Sequence, residues 1–194
     1  TKWGAQHQYA QIQTYHDFQQ QVPVQTYEEV KPYVERMRQG ESDVLWPGKV
    51  CWFAKSSGTT NDKSKFIPVS KDGLHDAHYA GGADCVASYL RNNPQSRFFS
   101  GKGLILGGSH APNYNLKNSL VGDLSAILIQ NVNPLVNFIR VPGKQIALLS
   151  DFEEKVERIA HSTMNVNVTN ISGVPSWICL LYTSPSPRDV EESR

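Results

Sequence analysis

The sequence predicts an α/β fold in which a mostly parallel sheet is flanked by helices. Short strand-like runs, such as VCWFA at 50–54 and GLILGG at 103–108, alternate with segments of helical periodicity. Strands that are separated by helices are typical of parallel sheets covered on both faces. The GLILGG run contains no polar residue, which predicts a strand that is fully buried.

The first elements are predicted to be helices. Thr26 and Glu29 have the spacing of a capping box, in which the two side chains satisfy free amides at the start of a helix. Pro32 is typical of a first helical turn and therefore predicts a second short helix that continues through YVERM at 33–37.

The next helix is predicted to follow two strands, VCWFA and FIPV at 66–69. Ser70 is a candidate cap for this helix, which covers LHDAHYAGGADCVASYL at 74–90. Its many small residues predict a backbone that lies close against a sheet, although Gly81 and Gly82 lower its helix propensity.

Beyond the GLILGG strand, a polar loop at 109–119 leads to GDLSAILIQN at 122–131, which is short enough to be a helix or a strand. An amphipathic helix follows, with Asp151 or Ser150 as its cap. Its buried stripe is predicted to contain Phe152, Val156, Ile159 and Ala160. Its exposed face is predicted to contain Glu153, Glu154, Lys155 and Glu157. The run NVNVTNI at 165–171 then predicts a strand that ends at Gly173.

The composition excludes several classes of function. The net charge is +1, which predicts neither a nucleic acid nor an anionic membrane as a partner, and no apolar run is long enough to span a bilayer. Three cysteines provide no disulfide framework, and the six histidines have no metal-ligand spacing. We therefore expect a reducing, cytoplasmic location and no structural metal site.

The C-terminal peptide CLLYTSPSPRD, at 179–189, is what a transposase-type sequencing adapter would encode in frame. A natural Ser/Pro-rich tail is the alternative. We expect residues 179–194 to be foreign and residues 1–178 to be a partial domain from a longer protein. The lack of an initiator methionine predicts that the N-terminus is also cut.

The segment SSGTTNDKSK at 56–65 combines hydroxyl groups, a glycine and lysines between two predicted strands. Hydroxyl and backbone amide groups donate to phosphate oxygens, and lysines neutralise their charge, so the segment is a candidate polyphosphate site. An ordinary polar turn between two strands has the same composition and stays open as the alternative. A Walker A motif is excluded, because Lys63 and Ser64 stand where that motif needs glycine and lysine. The candidate nucleotide-binding residues are Ser56, Ser57, Gly58, Thr59, Thr60, Lys63 and Lys65.

This segment resembles the phosphate-binding motif of adenylate-forming enzymes. Together with DVLWPG, KFIPVS, GDLSAIL and NVTNISGVPSW, it resembles the auxin-responsive Gretchen Hagen three family of acyl acid amido synthetases, in its bacterial branch, throughout 1–177. The resemblance implies part of the large N-terminal domain of an adenylate-forming, luciferase-like enzyme.

The same resemblance implies an activity that uses ATP and Mg²⁺. The enzyme would convert a carboxylic acid into an acyl-adenylate and then transfer the acyl group to the amine of an amino acid, with Lys65 as the candidate catalytic residue. The family's later motifs are absent from this chain, so the chain alone is expected to be inactive. An acyl-CoA synthetase and a non-catalytic nucleotide-binding homologue remain alternatives.

Two features extend this interpretation. Asn61 and Asp62 replace the glycine of the superfamily motif. Asp62 either points away from the phosphates, pairs with a lysine or helps to hold the metal.

Candidate substrate-binding residues lie in two other segments. Ser109 and His110 follow a predicted parallel strand, where ligands commonly bind, while Val174 and Ser176 belong to GVPSW, which resembles a family segment near the acyl pocket.

Overall fold

A computed structural model describes residues 1–56 and 64–183, and the chain divides into two compact units. The first unit contains 1–74 and 111–122, and the second contains 75–110 and 123–194. Helices alternate with strands, and three of the four strand pairings in the described residues are parallel. The predicted α/β class is confirmed, although these strands form two small sheets.

In chain order, the α-helices of the described residues are α1 (Lys2–Gln6), α2 (Tyr15–Gln21), α3 (Tyr27–Arg38), α4 (Ala80–Asn92), α5 (Leu124–Asn131), α6 (Lys144–Ala147), α7 (Phe152–Thr163) and α8 (Pro175–Thr183). The strands are β1 (Trp52–Lys55), β2 (Phe66–Val69), β3 (Lys102–Leu106), β4 (Leu120–Gly122), β5 (Arg140–Val141) and β6 (Val168–Gly173). None of these helices is both long enough and apolar enough to cross a membrane.

The sheet of the first unit has the strand order β2-β1-β4. β1 and β2 are antiparallel, with Lys55 opposite Phe66, whereas β1 and β4 are parallel. Pro68 is accommodated because β2 pairs with a single neighbour in the described residues, and an edge strand can lack one amide. The predicted strands VCWFA and FIPV are therefore confirmed, and they meet at the two ends of the hydroxyl-rich segment.

The helix α3 supplies one side of the core of the first unit. Thr26 is its N-cap residue, and Glu29 Oε2 accepts the backbone amide and the hydroxyl of Thr26 at 2.6 and 2.7 Å. The prediction that Pro32 begins a separate helix is wrong, since Pro32 lies inside α3. Burial of Val34 and Met37 against the sheet offsets the amide hydrogen bond that a proline inside a helix cannot make.

The sheet of the second unit has the order β5-β3-β6, and both pairings are parallel. The central strand β3 confirms the strand predicted from GLILGG, and Leu104 and Leu106 are buried in the core of this unit. The predicted full burial is wrong at Ile105, which is only partly buried. Val141 from β5 and Ile159 from α7 complete the buried cluster. The amphipathic helix is thus confirmed, and Glu154 donates its amide to the cap residue Asp151 at 2.8 Å.

The segment after β2 begins as predicted, since Gly73 donates its amide to Ser70 Oγ at 2.9 Å. A π-helical segment, Gly73–Tyr79, precedes α4. The predicted close approach of this helix to a sheet is wrong. No residue of α4 is buried, and a Cβ added at Gly81 or Gly82 would meet no described atom within 4 Å.

Two further segments are settled by the structure. GDLSAILIQN, for which both a helix and a strand were predicted as possible, forms the helix α5 after Asp123.

The last helix, α8, continues across residue 178 into the segment that we predicted to be foreign. There, Leu181 packs against the core of the second unit while Leu180 and Tyr182 are exposed. The foreign origin of 179–194 and the domain boundary at 178 stay predictions.

Candidate nucleotide loop and strand-end site

We call the hydroxyl-rich segment, residues 56–65, the nucleotide loop. Its two ends, which form the stem of the loop, are joined by two hydrogen bonds. The amide of Ser56 donates to the carbonyl oxygen of Lys65 at 2.9 Å, and the amide of Lys65 donates to Ser56 Oγ at 3.0 Å. Ser56 Oγ acts as an acceptor in this bond, so the bond does not use its hydroxyl hydrogen. The pairing continues the antiparallel β1–β2 ladder to the point where the described stem ends.

Five of the seven predicted nucleotide-binding residues lie outside the residues that the structure describes. Ser57, Gly58, Thr59, Thr60 and Lys63 lie outside the described residues, as does Asp62. Ser56 and Lys65 are described, and they lie on opposite sides of the stem. The assignment of these seven residues to a nucleotide stays a prediction.

Two lysines at the stem lie over aromatic rings. Lys65 Nζ is 5.4 Å from the centre of the Tyr27 ring, and Lys55 Nζ is 4.1 Å from the centre of the Tyr114 ring. In the described residues, neither lysine forms an ion pair with a carboxylate. Among residues 1–56 and 64–183, the positive charge at the stem is thus not neutralised by a carboxylate, while cation–π contacts orient both side chains.

Tyr27 also anchors the second strand of the stem. Its hydroxyl oxygen accepts the amide of Phe66 at 2.8 Å. The same side chain thus fixes the backbone next to Lys65 and supports the ammonium group of Lys65. Tyr27 was not singled out in the sequence, where it appeared only inside the capping-box pattern.

The predicted substrate residues lie in two segments at one edge of the second sheet. β3 and β6 are parallel, and Leu106 pairs with Gly173 at their carboxyl ends. The chain continues from these two residues into 107–110 and 174–177, which we call the strand-end segments. Parallel strands bring their carboxyl ends to the same edge, where ligands of α/β sheets commonly bind. The structure therefore brings Ser109 and His110 to the same sheet edge as Val174 and Ser176.

The first strand-end segment is held on its amide side by the beginning of α5. Gly108 donates its amide to Ser125 Oγ at 2.8 Å, and Ser109 donates its amide to Asp123 Oδ2 at 3.1 Å. Asp123 in turn donates its own amide to the carbonyl of Ser109 at 3.0 Å. Space is also restricted, because a Cβ on Gly108 would lie 2.1 Å from Asp123 Oδ2.

The carbonyl side of the same segment is held by Lys155 of α7. Lys155 Nζ donates to the carbonyl oxygens of Gly107 and Gly108 at 3.0 and 3.1 Å. The residue is 3% exposed, and burial lowers the pKa of its ammonium group, while the negative charge of Asp123 opposes that shift. Lys155 forms no ion pair within the described residues.

Lys155 was predicted to lie on the exposed face of its helix, and that prediction is wrong. The physical reason is that its apolar stem packs inside while its ammonium reaches two backbone carbonyls. The position of Lys155 in the helical repeat already indicated that it lies on the buried face. Lys155 follows Phe152 by three residues and precedes Ile159 by four, so all three share one face of the helix.

The second strand-end segment opens α8. The carbonyl of Val174 accepts the amides of Trp177 and Ile178 at 3.0 and 3.1 Å. Val174 and Ser176 are exposed, whereas the Trp177 ring is 5.7 Å from the Phe152 ring and 5.8 Å from Lys155 Nζ. The contact of these residues with a substrate stays a prediction.

No group of three or more acidic, histidine or cysteine side chains in residues 1–56 and 64–183 could hold a metal ion. Mg²⁺ in nucleotide enzymes is commonly bound through one or two carboxylates together with the phosphates. The described residues therefore offer no protein cage for the ion.

A family model described as the GH3 family N-terminal domain matches residues 1–191. The chain belongs to the GH3 family. This match confirms the family that was suggested by the sequence motifs, the Gretchen Hagen three family. The finer assignment to its bacterial branch stays a prediction.

Two relatives of this GH3 chain place the match in context. The 4-substituted benzoates-glutamate ligase GH3.12 of Arabidopsis thaliana is 40% identical over 52 residues, which are 26% of this chain and 9% of the ligase. The solved structure of the GH3.15 acyl acid amido synthetase superposes with a TM-score of 0.61 at 19% identity, over 80% of this chain. The chain spans 26% of that structure, and the likeness shows a shared fold.

Proposed function

We propose that the intact enzyme that carries this sequence is an ATP-dependent acyl acid amido synthetase. It activates a carboxylic acid as an acyl-adenylate and transfers the acyl group to the amine of an amino acid. The observation that carries this proposal is the stem of the nucleotide loop in a GH3 family member. Lys55 and Lys65 there bear positive charge without a carboxylate partner in the described residues, next to a segment rich in hydroxyl groups.

The first step joins two anions. A carboxylate oxygen of the acid attacks the α-phosphorus of ATP, and the bond from that phosphorus to the pyrophosphate oxygen breaks. Negative charge accumulates on the phosphate oxygens in the transition state, and prearranged donors that lower this charge are the main contribution of the protein. We assign that role to the nucleotide loop, with Lys65 as the catalytic cation. Mg²⁺ would supply further neutralisation of the triphosphate.

The second step is an acyl transfer. The amine nitrogen of the amino acid attacks the acyl carbon, AMP leaves with the bonding electron pair, and the amine loses a proton to solvent or to a base. Ser109, His110, Val174 and Ser176 are proposed to contact the acyl acid, because both strand-end segments leave one edge of a parallel sheet. A small carboxylic acid and an amino acid are thus the proposed substrates. The cytoplasm is the proposed location.

The test is a product assay on the intact enzyme. ATP, Mg²⁺ and a panel of carboxylic acids that includes 4-substituted benzoates are supplied, first without and then with glutamate. We expect acid-dependent exchange of pyrophosphate into ATP, AMP as the nucleotide product, and an amide when glutamate is present. Hydroxylamine should trap the activated acyl group as a hydroxamate.

Three outcomes contradict the proposal in different ways. Release of ADP and phosphate excludes adenylation. Formation of a thioester with coenzyme A, together with no amide, assigns the enzyme to the acyl-CoA synthetases. Nucleotide binding without any acid-dependent turnover assigns it to the non-catalytic homologues.

A further inference from the structure

Two consecutive peptide groups after β3 are held from both sides. Successive peptide groups in a strand face opposite directions. Here the carbonyls of Gly107 and Gly108 converge on one nitrogen, Lys155 Nζ, at 3.0 and 3.1 Å. The chain has therefore left the strand pattern at these two glycines, and a buried cation occupies the point where their oxygens meet.

The other side of the same two peptide groups is also occupied. The amide that follows the Gly107 carbonyl donates to Ser125 Oγ, and the amide that follows the Gly108 carbonyl donates to Asp123 Oδ2. Four hydrogen bonds thus hold two peptide planes between α7 and the beginning of α5. We call this arrangement the glycine clamp, made by Gly107, Gly108, Asp123, Ser125 and Lys155.

Lys155 is the member of the glycine clamp that also reaches the second strand-end segment. Its Nζ lies 5.8 Å from the centre of the Trp177 ring, and Trp177 is the last residue of the segment that contains Val174 and Ser176. A single buried ammonium group therefore contacts both segments that leave the carboxyl edge of the sheet. Burying an ammonium group is unfavourable unless it is hydrogen-bonded, and the two glycine carbonyls supply those bonds to Lys155.

We propose that Lys155 is a positioning residue for the acyl acid: its ammonium group holds the glycine clamp and Trp177 in the arrangement in which the strand-end segments bind the acid. This inference rests on the proposed function. Lys155 does not touch the reacting atoms. It sets the backbone that leads directly into Ser109 and His110.

The test compares three variants of the intact enzyme. Lys155→Met keeps the length and the apolar stem but removes the donors. Lys155→Arg keeps the charge and can still donate to two carbonyls. Lys144→Met is the matched control, because Lys144 Nζ also donates to a backbone carbonyl of the second unit, that of Gln130 at 2.8 Å, which belongs to neither strand-end segment.

In acid-dependent pyrophosphate exchange, we expect Lys155→Met to raise the KM for the acid by roughly tenfold or more, which corresponds to the loss of a charge-assisted hydrogen bond. The KM for ATP should change less than about twofold, because the proposed nucleotide residues belong to the first unit. Lys155→Arg should recover most of the affinity for the acid. Lys144→Met should leave both constants near those of the parent.

A second measurement does not depend on turnover. Hydrogen exchange of the peptide 104–110, followed by mass spectrometry, reports whether the amides of Gly108 and Ser109 are protected. We expect faster exchange in Lys155→Met than in the parent and in Lys144→Met. If the parent shows no acid-dependent activity, the proposed function fails. Binding of a 4-substituted benzoate is then detected as a change in the rate of hydrogen exchange of this peptide.

The inference is overturned by any of three results. The first is an unchanged KM for the acid and unchanged exchange in Lys155→Met. The second is an equal loss of affinity for the acid in Lys144→Met, which would show a general effect of structural lysines. The third is an inactive parent whose 104–110 peptide exchanges at the same rate with and without benzoate.

Discussion

Ser56 and Lys65 close the stem of the nucleotide loop by bonding to each other twice. The Ser56 amide donates to the Lys65 carbonyl, and the Lys65 amide donates to the Ser56 hydroxyl oxygen. Their backbones are therefore fixed without using the Lys65 ammonium group or the Ser56 hydroxyl hydrogen. A loop that must bind an anion benefits from such preorganisation, because the donors need no rearrangement when charge develops.

Replacing Lys65 tests the role of this ammonium group. In the intact enzyme, we expect Lys65→Ala to slow acid-dependent pyrophosphate exchange by about a hundredfold, the cost of one lost charge-stabilising donor. Thermal stability should change little, because Lys65 forms no ion pair in the described residues. Lys71→Ala removes an equal charge from an exposed position of the same unit and serves as the control. Exchange at the parental rate in Lys65→Ala would refute the assignment of the loop.

Asp62 is tested by restoring the glycine of the superfamily motif. We expect Asp62→Gly to keep adenylation at the parental rate or to raise it slightly, because a negative charge near the triphosphate is removed. Stability should stay within about 1 kcal/mol of the parent. Slower adenylation with unchanged stability would show instead that Asp62 orients a lysine or helps to hold the metal.

Alanine substitutions at Gly108 and Gly82 test how closely each glycine of the second unit is packed. We expect Gly108→Ala to destabilise this unit by about 1–3 kcal/mol, because the new Cβ would overlap Asp123 Oδ2 at 2.1 Å. Gly82→Ala should stabilise it by up to about 1 kcal/mol, because α4 has open space at this position and alanine favours helix. Chemical denaturation measures both changes. A Gly82→Ala variant that loses stability would indicate that α4 is covered.

The lowered pKa of Glu41 predicts that the stability of the first unit depends on pH. Hydrogen bonds from Arg36, at 2.7 and 2.8 Å, and from Lys2 lower the pKa of Glu41 from 4.5 to about 2. A carboxyl with a lowered pKa in the folded state stabilises that state above pH 4.5, and this contribution is lost as the pH falls towards 2.

The measurement is the melting temperature between pH 5 and pH 2. We expect Glu41→Gln to be less stable than the parent near pH 5 and to show a shallower decline in acid, with the two curves converging near pH 2. Glu28→Gln removes an equal charge from α3 and is the control. A parallel decline in Glu41→Gln and the parent would contradict this linkage.

The sequence by itself determined the features that depend on neighbouring residues. The capping box at Thr26, a helix cap at residue 150 or 151, the β3 strand and the amphipathic α7 helix all follow from spacing over a few positions. The structure confirms these elements and selects Asp151 as the cap of α7. The family could also be recognised from short motifs, because the motif residues are contiguous in the chain. The family match then confirmed it over 1–191.

Only the tertiary structure decided features that depend on long-range contacts. Pro32 lies inside a helix because burial of the α3 stripe outweighs the local preference of proline. Lys155 is buried because two carbonyls separated from it by 47 and 48 positions accept its hydrogen bonds. Local composition does not contain such partners. The glycine clamp and the pairing of Leu106 with Gly173 form because the parallel sheet brings segments that are far apart in the sequence to one edge. A pattern over a few neighbouring positions does not report such long-range contacts.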